Sequence, residues 1–401
     1  MNKKYFMRYR DDGVIASLSV YFVLSVTNLP PILVLCPLLV SGLFLLIEPA
    51  VAPETTLKER DRAAFSIIAL FLISYIASVV FSYDIAGSIN STAVLFPGLL
   101  IAYIFNQLTP HHIRYASWGL SLLVMASSCV TILMFLNSSS SNPGLVFWDE
   151  RTPALVVPND MLVGVIFSPM VVATFFNEKQ PILKMLAIGI LATLAIALYL
   201  VDSRICFLTA VVTMILCLYH FRRKQILMDC LVLLLLIYLT DLLFQLGIVN
   251  NFLLIREENA RLSVWLAGLL HWSDHPILGL GPSHFEVAYK LGISNLALPD
   301  WVEVEPRMVP WAHNLYIEAL VERGMFGLIT LILLFMLILS RINRHLSVST
   351  TGLWRFYFAL SISFGAFIFA GFFEPTLQRI WVANALFAFT GLACAPVSSK
   401  L

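Results

Sequence analysis

The chain is poor in charge. Only 12% of its 401 residues are Asp, Glu, Lys or Arg, about half the charged fraction of a soluble domain, whereas 59% are hydrophobic. The net charge is +1 and Lys and Arg do not cluster on a soluble face, which argues against a nucleic-acid-binding protein. The alternating segments of a membrane β-barrel are also missing. The composition therefore predicts an all-α membrane protein.

Paired cysteine motifs and a cleavage site are lacking as well. The six cysteines form no CxxC pair and lie in apolar stretches, which is typical of buried small side chains. The basic start, Met1 to Arg10, precedes an apolar run and so resembles a signal peptide. No small-residue cleavage site follows, and another apolar segment does. We therefore expect an uncleaved first span.

Apolar runs near the length of a bilayer-spanning helix recur along the chain. They predict about twelve transmembrane helices, at residues 13–28, 31–49, 63–82, 86–106, 116–136, 161–176, 183–201, 205–220, 225–247, 313–340, 354–372 and 378–394. On the side of the N-terminus lie 17 of the 25 Lys and Arg residues, which places both termini in the cytoplasm. The predicted organisation is helices 1–9 (residues 1–247), one large periplasmic loop with short helices (248–312) and helices 10–12 (313–401).

Polar side chains near a bilayer are costly and mark function by default. Arg204 follows a tight turn and leads into apolar sequence, and its guanidinium has the shape to hold two phosphate oxygens. The alternative is a snorkelling Arg paired with Asp202. Arg261 heads an amphipathic helix that could reach a lipid phosphate, although Glu257 stands at ion-pair spacing from it.

The strongest candidate is His313, where the large loop meets the tenth span. Histidine is the usual general base near neutral pH. Glu318, Glu322 and Arg323 follow in the first helical turns. The alternative is a histidine that caps the helix or bonds a backbone carbonyl. Sequence position leaves both readings open.

Three further groups are weighed against structural roles. His271 and His275 have the spacing of helical zinc ligands, but no third ligand is evident and Pro276 ends the helix, so no metal site is expected. His284 reads as a loop histidine. Glu374 and Arg379 flank the last outer turn, where we expect them to pair with each other or to line one cavity.

Three segments resemble the O-antigen ligase family, which includes O-antigen polymerases and protein O-oligosaccharyltransferases. They are SRICFLTAVV from Ser203, RLSVWLAGLLHWSDHPILGLGPSHF from Arg261 and AHNLYIEALVERGMFGL from Ala312. The resemblance covers roughly residues 60–395. It implies a GT-C-like, metal-independent, cofactor-free glycosyltransferase in the bacterial inner membrane, with a periplasmic active site.

The resemblance also implies roles for the residues above. His313 would deprotonate the acceptor, and Arg204 and Arg261 would bind the diphosphate of the donor. The expected supporting residues are Arg256, Glu318, Arg323 and His284. The expected partners are an undecaprenyl-diphosphate-linked glycan, a lipid A–core acceptor and membrane lipids.

Two alternatives remain. A polymerase or oligosaccharyltransferase would use the same donor, but polymerases often have two large outer loops with Arg-x10-Gly motifs. Here one outer loop is large, and the spacing Arg341 to Gly352 lies on the cytoplasmic side, which favours the ligase. A flippase or transporter would place its site near the midplane on broken helices. The interior spans carry little charge, which argues against it.

Overall fold

A computed structural model describes residues 3–27, 31–46, 62–108, 110–137, 158–201, 203–221, 260–295, 297–298, 302, 304–305, 309–349, 351–374 and 376–395. This part folds into α-helices joined by turns, with one 3-10 turn at Pro158–Met161. In chain order the α-helices are α1 (Lys3–Leu24), α2 (Pro31–Leu46), α3 (Arg62–Val80), α4 (Ile85–Thr92), α5 (Leu95–Gln107), α6 (Pro110–Asn137), α7 (Leu162–Asn177), α8 (Pro181–Leu200), α9 (Arg204–Phe221), α10 (Ala260–Trp272), α11 (Phe285–Asn295), α12 (Leu315–Val348), α13 (Thr351–Ala370) and α14 (Ile380–Ala393).

Two helices form the centre of the molecule. Residues 162–174 of α7 and 381–393 of α14 are buried without interruption, as expected for helices that are apolar on every face. Helix α14 packs closely on α5. A Cβ on Gly98 of α5 would lie 2.6 Å from Cδ2 of Phe387, so the missing side chain permits this approach.

Five helical segments are long and apolar enough to cross a membrane, by length and composition. They are Ile85–Gln107, Tyr115–Leu136, Pro181–Leu200, Leu315–Val348 and Gly352–Ala370. Eleven of the twelve predicted spans coincide with helices, and the ninth, 225–247, lies outside the described residues. Twelve membrane crossings therefore stay a prediction.

Helix α12 is broken near its start. Gly324 has φ 65° and ψ −169°, a conformation essentially restricted to glycine. The backbone N–H groups of Met325 and Phe326 donate to the carbonyls of Pro276 and Ile277, at 2.8 and 3.2 Å. The loop after α10 thus caps the part of α12 that follows Gly324.

The same loop also donates hydrogen bonds to carbonyl groups in the part of α12 that precedes Gly324. Leu280 N donates to Val321 O at 3.0 Å, and Gly281 N donates to Glu322 O at 2.8 Å. The hydroxyl of Ser78 in α3 donates to that same Glu322 carbonyl at 2.7 Å. Two of the carbonyls that the break would orphan, those of Val321 and Glu322, are therefore paired.

Helices α10 and α11 pack against the start of α12 around a second apolar core. Its buried members include Val264 and Ala267 of α10, Phe285 and Ala288 of α11, and Val321 of α12. This packing joins the segment between α9 and α12 to the site at the start of α12. The predicted domain boundaries and the periplasmic side of this segment stay predictions.

Candidate functional site

His313 is held at the entrance to α12. Its φ is 49°, a left-handed value rare for a residue with a side chain. The next residue, Asn314, caps the helix, and its side-chain oxygen accepts from the N–H groups of Tyr316 and Ile317 at 3.0 and 3.1 Å. Its side-chain amide donates to Phe372 O at 3.1 Å. The backbone conformation of His313 is thus fixed by the cap that follows it.

The imidazole of His313 meets a buried carboxylate. Its Nδ1 lies 3.0 and 3.1 Å from the two carboxylate oxygens of Glu374. The Glu374 side chain is 8% exposed, whereas that of His313 is 27% exposed. An ionised carboxylate only accepts hydrogen bonds, so Nδ1 carries the proton and a neutral imidazole has an unprotonated Nε2.

Arg261 reaches the same carboxylate. Its Nη2 lies 3.3 Å from Glu374 Oε2, and its Nη1 donates to Phe373 O at 2.7 Å. The side chain of Arg261 remains 44% exposed. Two predicted site residues, His313 and Arg261, are therefore brought together by Glu374 across more than fifty residues of sequence.

Helix α9 begins at Arg204, the third predicted site residue. Ser203 caps this helix, since its hydroxyl accepts from Cys206 N at 3.4 Å. The Arg204 side chain lies outside the described atoms, as does all of Asp202. Helix α9 contacts the 3-10 turn Pro158–Met161, which carries Asp160.

Two predicted supporting residues are buried in the first turns of α12, which begins after His313. Glu318 accepts from the Thr376 hydroxyl and so ties α12 to the turn that carries Glu374. The Arg323 guanidinium lies 4.5 Å from the ring centre of Tyr75. Among the described residues its nitrogens find no hydrogen-bond partner. Their supporting role in the reaction stays a prediction.

The other histidines have local partners. His284 is buried, and its Nδ1 lies 2.9 Å from Pro282 O and 3.4 Å from the Ser88 hydroxyl. His271 Nδ1 lies 3.3 Å from Asp274 Oδ2. Within the described ranges, no group of three or more His, Cys, Asp or Glu side chains could hold a metal ion. Arg256, the remaining predicted supporting residue, lies outside those ranges, as does Glu257.

Arg379 does not pair with Glu374, which was one of the two expectations for the last turn. Its Nη1 lies 3.6 Å from Asp160 Oδ2, and its guanidinium lies 4.5 Å from the ring centre of Trp311. Glu374 is engaged by His313 and Arg261 instead. The Trp311 ring is 6.0 Å from that of His313, edge to face. Arg379 therefore borders the same site as Glu374 without pairing with it.

Sequence reasoning did not select Glu374, Asp160 or Trp311 as site residues. Trp311 stands two residues before His313, whereas Glu374 and Asp160 belong to two other connecting segments that only the fold brings to this region. One signal was available for Glu374. It stands alone as an acidic residue between two apolar stretches, where a charge without function would be costly.

Residues 189–332 match the model of a family described as O-antigen ligase. The matched segment contains Arg204, Arg261 and His313, whereas Glu374 and Arg379 lie beyond it. No curated protein matches the chain. The resemblance seen in the sequence is therefore confirmed over the matched segment.

Proposed function

We propose that this integral membrane protein is an O-antigen ligase, because residues 189–332 match the model of that family, whose members are glycosyltransferase-like enzymes. It transfers a glycan from undecaprenyl diphosphate to a sugar hydroxyl of lipid A–core. The transfer takes place at the periplasmic face of the bacterial inner membrane. It requires no metal and inverts the anomeric configuration.

One observation carries the proposal. His313 and Arg261, the proposed base and the proposed diphosphate ligand, share the carboxylate of Glu374. A base and a cation so close together can serve the two ends of one displacement, the incoming hydroxyl and the departing diphosphate. Helix α9, which begins at Arg204, contacts the 3-10 turn that carries Asp160, and this supports a place for Arg204 near the site.

The reaction is a single displacement. The acceptor hydroxyl attacks the anomeric carbon as His313 Nε2 takes its proton, and a glycosidic C–O bond forms. The C–O bond to the diphosphate breaks on the opposite face, and its electron pair leaves with the diphosphate. The glycan is already activated by that leaving group, so no nucleotide is consumed.

Glu374 positions the base. By accepting from Nδ1–H, the carboxylate fixes the ring orientation and directs the unprotonated Nε2 away from itself, and it stabilises the imidazolium that forms. The backbone at His313 is held in a left-handed conformation by the Asn314 cap. Both contacts restrict the imidazole before the substrates arrive, which lowers the entropy cost of reaching the transition state.

Arg261 and Arg204 stabilise the leaving group. A guanidinium forms two parallel hydrogen bonds to phosphate oxygens and stays charged at all relevant pH values. The terminal nitrogens of Arg261 contact the Phe373 carbonyl and the Glu374 carboxylate. Its exposure leaves room for a diphosphate to replace those partners as the donor binds.

The test is transfer in vitro by the purified chain, with a lipid-linked donor and rough lipopolysaccharide as acceptor. Removing a general base lowers the rate by about 10²–10⁴-fold, so H313A should lose transfer while it remains inserted and abundant. The matched control is H275A, because His275 is an exposed histidine outside the site. The control should transfer at the wild-type rate.

Substrate arms separate the ligase from its relatives. A ligase elongates rough lipopolysaccharide, a polymerase extends the lipid-linked glycan itself, and an oligosaccharyltransferase modifies a peptide. Normal transfer by H313A would remove the base assignment. Transfer only to a second lipid-linked glycan or to a peptide would replace the ligase with one of the other two enzymes.

A further inference from the structure

Arg379 borders the site but has no place in the reaction described above. It immediately precedes α14, and its side chain is 20% exposed. The central carbon of its guanidinium, Cζ, lies 4.5 Å from the ring centre of Trp311, at cation–π distance. Asp160 flanks it, with Oδ2 3.6 Å from Nη1. The charge is therefore held in place from two directions.

These contacts leave the N–H groups of Arg379 unfilled. Charged N–H···O bonds measure about 2.7–2.9 Å, so the 3.6 Å separation from Asp160 is an ion pair without a hydrogen bond. Asp160 uses its other oxygen, Oδ1, to accept from Trp381 Nε1 at 2.8 Å. A guanidinium carries five N–H donors, and neither the contact with the Trp311 ring nor the ion pair with Asp160 is a hydrogen bond to one of them.

Arg261 is the informative contrast. Its two terminal nitrogens are bonded to Phe373 O and to Glu374. No hydrogen bond joins the Arg379 guanidinium to any residue of the described ranges. An incoming oxyanion would have to displace partners at Arg261, whereas at Arg379 it finds donors that no described residue uses.

Trp311 connects Arg379 to the imidazole of His313. The Arg379 guanidinium is one contact distance, 4.5 Å, from Trp311, and the indole is one ring contact, 6.0 Å, from His313. Arg261 reaches the same imidazole through Glu374. Two cations are thus linked to the proposed base: Arg261 through Glu374, and Arg379 through Trp311.

We propose that Arg379, held on Trp311, is a further binding site for a phosphate-type oxyanion of a substrate. This inference rests on the proposed function, which brings such a group to His313. Two sources share the chemistry: the diphosphate of the donor and an anionic substituent on the acceptor. A diphosphate diester gains one negative charge when its bond to the sugar breaks, so a third guanidinium has its greatest effect on the developing charge.

Binding and turnover are measured with the purified full-length chain. The probe for the first source is a short-chain polyprenyl diphosphate, whose affinity is read from ligand-induced thermal stabilisation. A lost charged hydrogen bond corresponds to about a tenfold or greater loss of affinity. R379Q should show that loss, and R379K should recover part of it, since a point charge does not reproduce the fork. R344Q, the matched control, removes an exposed Arg of α12 that lies outside the site, and it should bind the diphosphate as the wild type does.

The second source is read from kinetics with two acceptors, one carrying a phosphate and one neutral. If R379Q binds the polyprenyl diphosphate normally but raises KM about tenfold for the phosphorylated acceptor alone, the oxyanion comes from the acceptor. Either pattern supports the site. An unchanged affinity together with unchanged KM for both acceptors overturns it.

D160N distinguishes binding from a purely structural ion pair. Asn keeps an acceptor for Trp381 Nε1 but removes the charge beside Arg379. If Arg379 binds an oxyanion, D160N should bind the diphosphate at least as tightly as the wild type does. If D160N reproduces the loss seen in R379Q, the ion pair explains it and the proposal fails. Diphosphate binding is measured without turnover, so a wild-type chain that transfers no glycan would contradict the proposed function while leaving this test intact.

Discussion

At the scale of single residues, Glu374 is the group on which the site depends. It is nearly buried, and its two oxygens serve a half-buried imidazole and an exposed guanidinium. A buried carboxylate is stable only when it is paired and hydrogen-bonded. Its partners therefore stabilise Glu374 as much as Glu374 orients them.

Replacing the carboxylate of Glu374 by an amide tests that dependence. In E374Q the side chain can also present an N–H₂ group to Nδ1, which favours the wrong imidazole tautomer. We expect a fall in transfer rate of about 10²–10⁴-fold, the size of a lost acid–base contribution. Transfer kinetics with the same lipid-linked donor measure it.

Two variants control that measurement. E374D keeps the charge on a shorter side chain and should retain more activity than E374Q. E286Q removes the carboxylate of a surface pair with Lys290 and should be neutral in rate, since an exposed pair contributes about 0–1 kcal/mol. An E374Q protein as active as the wild type would show that His313 needs no carboxylate partner.

At the scale of elements, the interruption of α12 joins membrane helix and loop into one unit. Backbone groups on both sides of Gly324 bond to the loop that follows α10. Broken helices are typical of transporter sites near the bilayer midplane. Here the break lies in the first third of α12 and its backbone groups are occupied by the loop, so it supports the fold and leaves no open ion site among them.

Gly324 therefore tolerates no side chain. An alanine Cβ would overlap the carbonyl group of Ile277 and would force an unfavourable backbone conformation. The strain alone costs about 1–3 kcal/mol, and G324A should melt at a lower temperature in detergent and lose transfer activity. G365A is the matched control, because Gly365 lies in α13 with open space around its Cβ position. Equal melting temperatures for the two variants would contradict the role assigned to the break.

At the scale of the whole molecule, helices α7 and α14 lie inside and other helices surround them. The outer helices carry large apolar side chains on exposed positions. On α8, for example, Ile182 is 72% exposed and Met185 is 70% exposed. Such a surface would aggregate in water and matches the hydrocarbon of a bilayer.

The proposed topology places the two ends of α12 on opposite sides of the membrane. We expect a cysteine introduced at Asp274 to react with an impermeant thiol reagent from the periplasmic side. One introduced at Ser347 should react only after the inner membrane is opened. Both positions are exposed, and the background replaces all six native cysteines by serine. Labelling of both cysteines from the same side would overturn the orientation derived from Lys and Arg.

The helices were predictable and their interruptions were not. Apolar runs predict both α7 and α14, because a helix that is buried on every face needs a continuous apolar sequence. The break in α12 depends on hydrogen bonds to residues more than forty positions earlier, which no local pattern reports. The predicted span 313–340 accordingly ran through Gly324 without interruption.

The site was predictable by residue type and not by partner. His313 and Arg261 stand out because imidazole and guanidinium are rare beside a bilayer and suited to the chemistry. Their shared contact with Glu374 requires the 371–374 turn to fold back on the start of α12, through Leu315 N to Gly371 O at 2.7 Å. Sequence separation conceals such a pairing.

The kink at Gly324 also separates two duties within one helix. Met325–Val348 rises about 36 Å, enough to bridge the roughly 30 Å hydrocarbon layer by itself. The segment Leu315–Arg323 is thus not needed to span the membrane. The conformation of Leu315–Arg323 can therefore be set by the substrates, whereas the length of Met325–Val348 is set by the thickness of the bilayer.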